Sequence, residues 1–219
     1  MPPREIVISA VELRKDFNRR PVFSGISFEL HTGETLAVSG RNGSGKSTLL
    51  KIIASLLSPT SGTFTMTVGG SAVPPKFMFR HIGMVAPYLQ VYEEFTALEN
   101  LRIIDRIRGG ERSDGEYGKL LEMVSLGKRK HDIVRTFSSG MKQRLKYALA
   151  WMERPSLLLL DEPRTNLDAE GIAMAMELFR EQRAEGIVII ATNEQEDVDI
   201  CGARISLGQG VSGVQGGAA

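Results

Sequence analysis

The eight residues Gly-Arg-Asn-Gly-Ser-Gly-Lys-Ser from Gly40 to Ser47 constrain this chain more than any other stretch. Gly40 and Gly45 bracket four residues, Arg41, Asn42, Gly43 and Ser44, and Lys46 and Ser47 follow. Such a loop curls its backbone until the N–H groups converge on a concavity the size of a phosphate. In that cradle, which runs on to Thr48, the Lys46 ammonium can reach β- and γ-phosphates and the Ser47 hydroxyl can ligate Mg²⁺. The flanks fit. Glu34–Ser39 reads as a buried strand, and Ser47–Ala54 as a helix whose N-terminal dipole faces the anion. A chance glycine-rich turn does not require this order of strand, loop and helix.

The remaining chain alternates in the same way. Residues 4–13 and 21–30 and Phe64–Val68 alternate polar and apolar, as antiparallel strands do. The glycines and prolines between Gly69 and Pro75 mark a break. From about Ala97 to Met123 the pattern is helical, with Leu98, Leu101, Ile104 and Ile107 on one face and interruptions at Gly109-Gly110 and 113–115. A helix after Ser139 ends before Pro155. Leu157–Leu160 is a continuous apolar run typical of a parallel sheet. A helix from Ala169 to about Ala184 and a strand over Gly186–Ala191 follow. The expected fold is α/β: a mainly parallel central sheet around a phosphate loop, an N-terminal antiparallel β-subdomain, and an inserted helical subdomain at about 97–152. We expect one domain over 1–219, with a loose glycine-rich tail at 208–219.

Asp161 and Glu162 end the apolar run. Ligand sites in such sheets lie at the carboxyl ends of the strands, so both acids should face the phosphate loop. Successive side chains point to opposite sides, which gives one acid to the metal and the other to the γ-phosphate. We assign Asp161 to Mg²⁺ and Glu162 to polarising an attacking water. The stretch Phe137-Ser138-Ser139-Gly140-Met141 opens an amphipathic helix and, taken alone, reads as an ordinary N-cap.

Together these motifs resemble the ATP-binding subunit of ABC (ATP-binding cassette) transporters over essentially the whole chain, and the chain also looks somewhat like haem-exporter-type small subunits. Residues 137–141 are similar to the family's Leu-Ser-Gly-Gly-Gln signature, and Ser138 precedes Asp161 by 23 residues. The resemblance implies a head-to-tail dimer in which Ser138, Ser139 and Gly140 of one copy close over ATP held by the other copy. It implies that Asp168, in Arg164–Asp168, contacts the dimer partner, that Phe17 stacks on adenine, and that a separate membrane permease is driven. Two departures stand out. Where the family carries histidine after the last core strand, this chain has Asn193, whose amide can donate but cannot take a proton. Where it carries a glutamine after a strand like 82–86, this chain has Pro87. Gln90, three residues on, could reach Mg²⁺ if the loop folds back.

Composition narrows the alternatives. A net charge of +1 implies no strong overall electrostatic preference for nucleic acid or an anionic membrane. The basic run 128–131 lacks interleaved aromatics and reads as a solvated loop. The lone Cys201 suits a reducing compartment. No apolar segment is long enough to span a bilayer and the N-terminus lacks a signal peptide's apolar core, so the expected location is cytoplasmic, peripheral on the inner membrane face. A soluble ABC ATPase serving a cofactor-assembly partner is the alternative function. A regulatory module without turnover would have no use for Glu162. From Asn193 we expect slow hydrolysis whose rate shows no titration near pH ~6.5. Asn193→His should raise steady-state ATP turnover; a native rate already at ordinary family levels, unchanged in the variant, contradicts this.

Overall fold

The computed structural model describes residues 4–208 and the backbone of Gln215 and Gly216. The expected tail, 208–219, lies almost wholly outside the described residues. In chain order the strands and helices are β1 (Ile6–Phe17), β2 (Arg20–His31), β3 (Thr35–Ser39), α1 (Lys46–Ile53), β4 (Ser61–Val68), β5 (Ser71–Ala72), β6 (Ile82–Val85), α2 (Ala97–Arg108), α3 (Asp114–Met123), α4 (Ser139–Trp151), β7 (Leu157–Asp161), α5 (Ala169–Glu185), β8 (Ile187–Thr192), α6 (Gln195–Asp199), β9 (Ala203–Ser206) and β10 (Gln215–Gly216). A six-residue 3₁₀ turn, Pro75–Arg80, follows β5 inside the stretch that the sequence marks only as a break.

Two sheets result. The first is antiparallel with order β2-β1-β4-β5, and the second has order β10-β9-β3-β8-β7-β6. In the second sheet β3 pairs in parallel with β8 and β9, and β7 in parallel with β8 and β6. The β1–β2 hairpin turns at Asn18-Arg19, both at positive φ (49° and 63°). Two left-handed residues match the twist of paired strands, and asparagine tolerates that region well. β7 is buried along its whole length. Its leucines alternate between two cores: Leu157 and Leu159 pack with β1, β2 and α1, while Leu158 and Leu160 pack with the helices. The period-2 geometry of a strand therefore joins the antiparallel and helical halves through one central element.

The helical part is divided by local chemistry. α2 and α3 each start with a reciprocal capping box, Thr96 with Glu99 and Ser113 with Glu116. α2 ends at Gly109, φ 84°. Just beyond, a buried network pins the α2–α3 connection. Asp105 is fully buried and accepts hydrogen bonds from the Tyr117 hydroxyl (2.8 Å) and the Arg112 backbone N–H (3.1 Å), and it pairs with the Arg112 guanidinium. Arg112 also reaches Glu153 at 2.7 Å, beyond α4. Burial pushes the Asp105 carboxyl up, but Tyr117 and Arg112 outweigh it and the net shift is downward from 3.8. A carboxyl lowered on folding contributes stability above its unfolded value and loses it as pH falls through its folded value.

Asp105→Ala should therefore cost about 3 kcal/mol in urea unfolding at neutral pH, because it leaves the buried Tyr117 hydroxyl and the Arg112 backbone N–H without their acceptor and takes from the Arg112 guanidinium one of its two carboxylate partners. The gap between wild type and variant should narrow as pH falls below about 4. An equal gap at pH 7 and pH 3 rules the assignment out.

Candidate active site

β3, β7 and β8 run side by side in parallel and deliver their carboxyl ends to one edge. The phosphate loop leaves β3 there. Gly45, φ 104°, is the N-cap residue of α1, and no side chain caps that helix. A Cβ on Gly45 would lie 2.6 Å from Val22 Cγ1, so only glycine lets the loop pass this close to β2. The amides of the first turn have no side-chain cap, the arrangement in which a helix N-terminus can accept an anion.

Three polar groups converge on this edge. The Lys46 side chain is 6% exposed, and its ammonium donates to Gly40 O (2.9 Å) and to Asn193 Oδ1 (2.7 Å). It lies 3.4 Å from Glu162 Oε1. The Asn193 Nδ2 in turn donates to Asn42 Oδ1 at 2.6 Å. Asn193 thus straps the ammonium on one side and the loop on the other. Glu162 follows β7 with φ 50°, and its N–H donates to Ala191 O at 2.8 Å. A non-glycine residue in the left-handed region is strained, and such strain concentrates at functional positions.

Asp161 stands apart. It is 1% exposed, and neither carboxylate oxygen has a hydrogen-bond partner of normal geometry. Burial pushes its pKa up, opposed by the nearby Ser47 hydroxyl and by Lys46 and Lys51. A buried carboxylate without partners, beside a hydroxyl and a phosphate cradle, is the donor set a hard cation with bound waters requires. Tyr88, which no sequence motif marks, belongs to this neighbourhood. The Lys51 ammonium sits 4.0 Å from the centre of its ring. Burial, then the Asp161 charge, raises its phenol pKa. No residue pattern near position 88 signals this, because the contact arises only when β6 and β7 pair.

The other candidates lie elsewhere. Ser138 caps α4 by accepting from the Met141 N–H at 3.2 Å. It lines a hollow of about 360 Å³ with Ser139, Gly140, Arg144, Asn166 and Asp168. Asp168 caps α5 through the Gly171 N–H (2.9 Å) and pairs with Arg144 at 2.6 Å. The Gly171 N–H, then Arg144, hold its carboxyl below the usual range. Arg144, three residues beyond the 137–141 stretch, organises this hollow by also reaching Glu170 at 3.2 Å. Phe17 ends β1, 47% exposed, with the Lys15 ammonium 4.9 Å from its ring centre. Gln90 is exposed on the rim of an apolar groove lined by Leu56, Phe79 and Ile104.

Fold and loop together define a P-loop nucleotide-binding ATPase. The family model described as "ABC transporter" matches residues 23–165. The chain is 31% identical over 206 residues to the linearmycin resistance ATP-binding protein LnrL of Bacillus subtilis, covering 92% of this chain and 66% of LnrL. It is 36% identical over 201 residues to the lipoprotein-releasing system ATP-binding protein LolD 1 of Caulobacter vibrioides, covering 86% and 85% of the two chains. A solved structure titled as the ATP binding subunit of an ABC transporter superposes with a TM-score of 0.83 at 28% identity, over 96% of this chain and 90% of the other. The chain belongs to the ABC transporter family, as one of its ATP-binding members.

At Glu162 the backbone, not only the carboxylate, is under constraint. Glu162→Gly and Glu162→Ala both remove the carboxylate, but only glycine relieves the positive φ. The glycine variant should be the more stable of the two by about 1 kcal/mol in chemical denaturation. Equal midpoints contradict this.

Proposed function

We propose that this chain binds ATP on residues 40–48 and hydrolyses it in a head-to-tail dimer that drives a separate integral membrane permease. One observation carries the reading. Lys46, Asn193 and Glu162 already converge on the phosphate loop, while Ser138–Gly140 line a separate hollow to which residues 40–48 contribute nothing. A second copy is the natural way to bring a signature hollow to a loaded loop. The N-terminus of α4 then faces the γ-phosphate of its partner, and Asp168 lies at the seam.

The chain's own groups have distinct tasks. The loop amides and Lys46 hold the β- and γ-phosphates. A triphosphate takes the Lys46 ammonium away from Glu162, which leaves that carboxylate available to an attacking water. Asn193 Nδ2 can turn from Asn42 to a γ-phosphate oxygen, and Phe17 offers a face to the base. Ser47 and Asp161 would hold Mg²⁺, with Gln90 joining them if the 87–91 loop folds back. When bound, that ion neutralises charge between the β- and γ-phosphates.

The membrane partner has a surface to dock on. A cavity of about 260 Å³ between the α1 end, the 3₁₀ turn, α2 and α4 is lined by Leu56, Phe79, Met84, Ile104 and Leu149. An apolar groove of this shape fits the apolar face of a helical segment. Among the described residues no helix is long and apolar enough to cross a membrane, so the spanning part belongs to another chain in this reading, which places the protein on the cytoplasmic membrane face. The soluble cofactor-assembly reading keeps the same ATP site and gives the groove to a soluble partner.

Two variants test the proposal. Glu162→Gln should bind ATP, run as a dimer in size exclusion with Mg-ATP, and release phosphate at least about a hundredfold more slowly. Leu56→Glu, at a position 63% exposed, should keep ATP binding and lose co-purification with native membranes. A Glu162→Gln protein that stays monomeric with ATP overturns the dimer. Wild-type protein that co-purifies only with soluble proteins favours the assembly reading.

A further inference from the structure

The ATP site and the dimer seam leave unused the face around the 3₁₀ turn Pro75–Arg80. Between Thr35 and Tyr92 the chain has no aspartate or glutamate, though it carries 26 acids in all. Within that stretch the turn is anchored by one buried side chain. Met78 is 2% exposed, and its sulfur accepts from the Ser55 hydroxyl at 3.1 Å. On either side of it Phe77 and Phe79 are 40% and 46% exposed. Two neighbouring phenyl rings left in water are a standing cost that folding does not explain.

Cations face both rings. The Lys76 ammonium lies 4.9 Å from the Phe77 ring centre, and the Arg80 guanidinium lies 5.5 Å from Phe77 and 5.7 Å from Phe79. Rings and cations form one continuous amphipathic strip. Beside the strip is a hollow of about 440 Å³, with Phe77, Arg4, Arg80 and His81 in its wall and no acid among its lining residues. His81 is pushed below its ordinary value by burial, then by Arg4 and Arg80, as expected where positive charge is crowded.

We propose that this face rests on an anionic lipid bilayer, with Phe77 entering the boundary between headgroups and acyl chains and Lys76, Arg80 and Arg4 taking lipid phosphates. Bare aromatic rings flanked by cations are the composition of an interfacial anchor. An acidic protein segment would satisfy the cations and leave Phe77 in water. Single-stranded nucleic acid would need a longer cationic track than two rings and three charges supply. The orientation rests on the permease reading above, because Phe79 also lines the groove given to the membrane partner. A helix seated there brings the strip toward the bilayer. The binding itself needs no partner and can be read on the isolated protein.

The test is co-sedimentation of the purified full chain with vesicles of phosphatidylglycerol and phosphatidylcholine in equal parts, and with phosphatidylcholine alone. The expected result is binding to the anionic vesicles only, weakening as salt rises. Lys76→Glu/Arg80→Glu should lower the association constant by at least about fivefold for each cation removed. Phe77→Ser should lower it with the charge unchanged. Lys128→Glu/Lys130→Glu, in the other basic run, should bind vesicles like wild type, and all these variants should retain ATP binding. Failure of wild type to sediment overturns the proposal, as does equal loss in the patch and control variants or normal binding by Phe77→Ser. Patch variants that bind vesicles normally but no longer associate with native membranes overturn it too, and assign the strip to a protein. Loss of vesicle binding with Leu56→Glu still impairing membrane association sinks the lipid contact alone; the converse pattern sinks the permease reading alone.

Discussion

Ending an apolar parallel strand in a charge is costly, and three strands of this sheet end at one edge. β7 gives Asp161 and then Glu162, β8 gives Thr192 and then Asn193, and β3 leads through the loop to Lys46. Asp161 is 1% exposed and Lys46 is 6% exposed. Desolvating each ion costs several kcal/mol, recovered only through well-placed partners. Lys46 has three such partners, and the Asp161 oxygens have no hydrogen-bond partner. This asymmetry sets the preference of the edge. An anion on the lysine side and a cation on the aspartate side would each find a partner there, and the proposed metal-bound triphosphate would supply both at once. The apolar strands also keep water out beneath the site, so charges placed there interact more strongly than at a solvated surface.

α4 ties that edge to the rest of the molecule. Its first residues line the Ser138–Asp168 hollow. Midway along, the Lys146 ammonium donates to Ala86 O at 3.2 Å and Pro87 O at 3.4 Å, at the start of the loop that leads to Gln90 and the apolar groove. One residue on, the buried Tyr147 hydroxyl donates to Pro163 O at 3.0 Å, directly after Glu162. Beyond Pro163, Arg164 pairs with the buried Asp197 at 2.6 Å, and Asp197 accepts from the Thr192 hydroxyl at 3.1 Å. One rigid helix therefore touches the signature hollow, the loop facing the groove and the segment after the candidate base. Any shift of α4 on docking or dimer closure must move those contacts or break them, because packed interiors do not deform continuously.

What was legible in the sequence was what local chemistry dictates. The phosphate loop needs glycine at Gly45 because a Cβ would strike Val22, and that demand is written in the residue itself. The leucines of β7 show a strand buried on both faces because no other element wants four in a row. The boundaries of α2 and α3 follow from Thr96/Glu99 and Ser113/Glu116. What stayed hidden depends on side chains meeting across long separations. Arg112 and Glu153 meet 41 residues apart over Asp105, and nothing near either one announces the other. Tyr88 faces Asp161 only after β6 and β7 pair. The exposure of Phe77 and Phe79 is invisible for the same reason, since an apolar triplet interrupted by nothing reads as core until Met78 alone turns inward.

Asn193 shows why a substitution that looks like a loss need not disorganise a site. Its Oδ1 accepts from Lys46 and its Nδ2 donates to Asn42, one acceptor and one donor used together. A neutral imidazole also offers one of each, but protonation converts its acceptor into a donor, and it would then repel the ammonium it must hold. The amide keeps both roles at every pH at which the fold survives. It gives up the ability to carry a proton or a positive charge toward the γ-phosphate. In the proposed reaction the burden of stabilising developing charge then falls on Lys46, the loop amides and the signature helix of a second copy, while proton transfer from water is left to Glu162 rather than to residue 193. A site built this way separates holding from chemistry. Its strap is indifferent to pH, and in the dimer proposed above its turnover would depend on how completely a second copy closes over the loop.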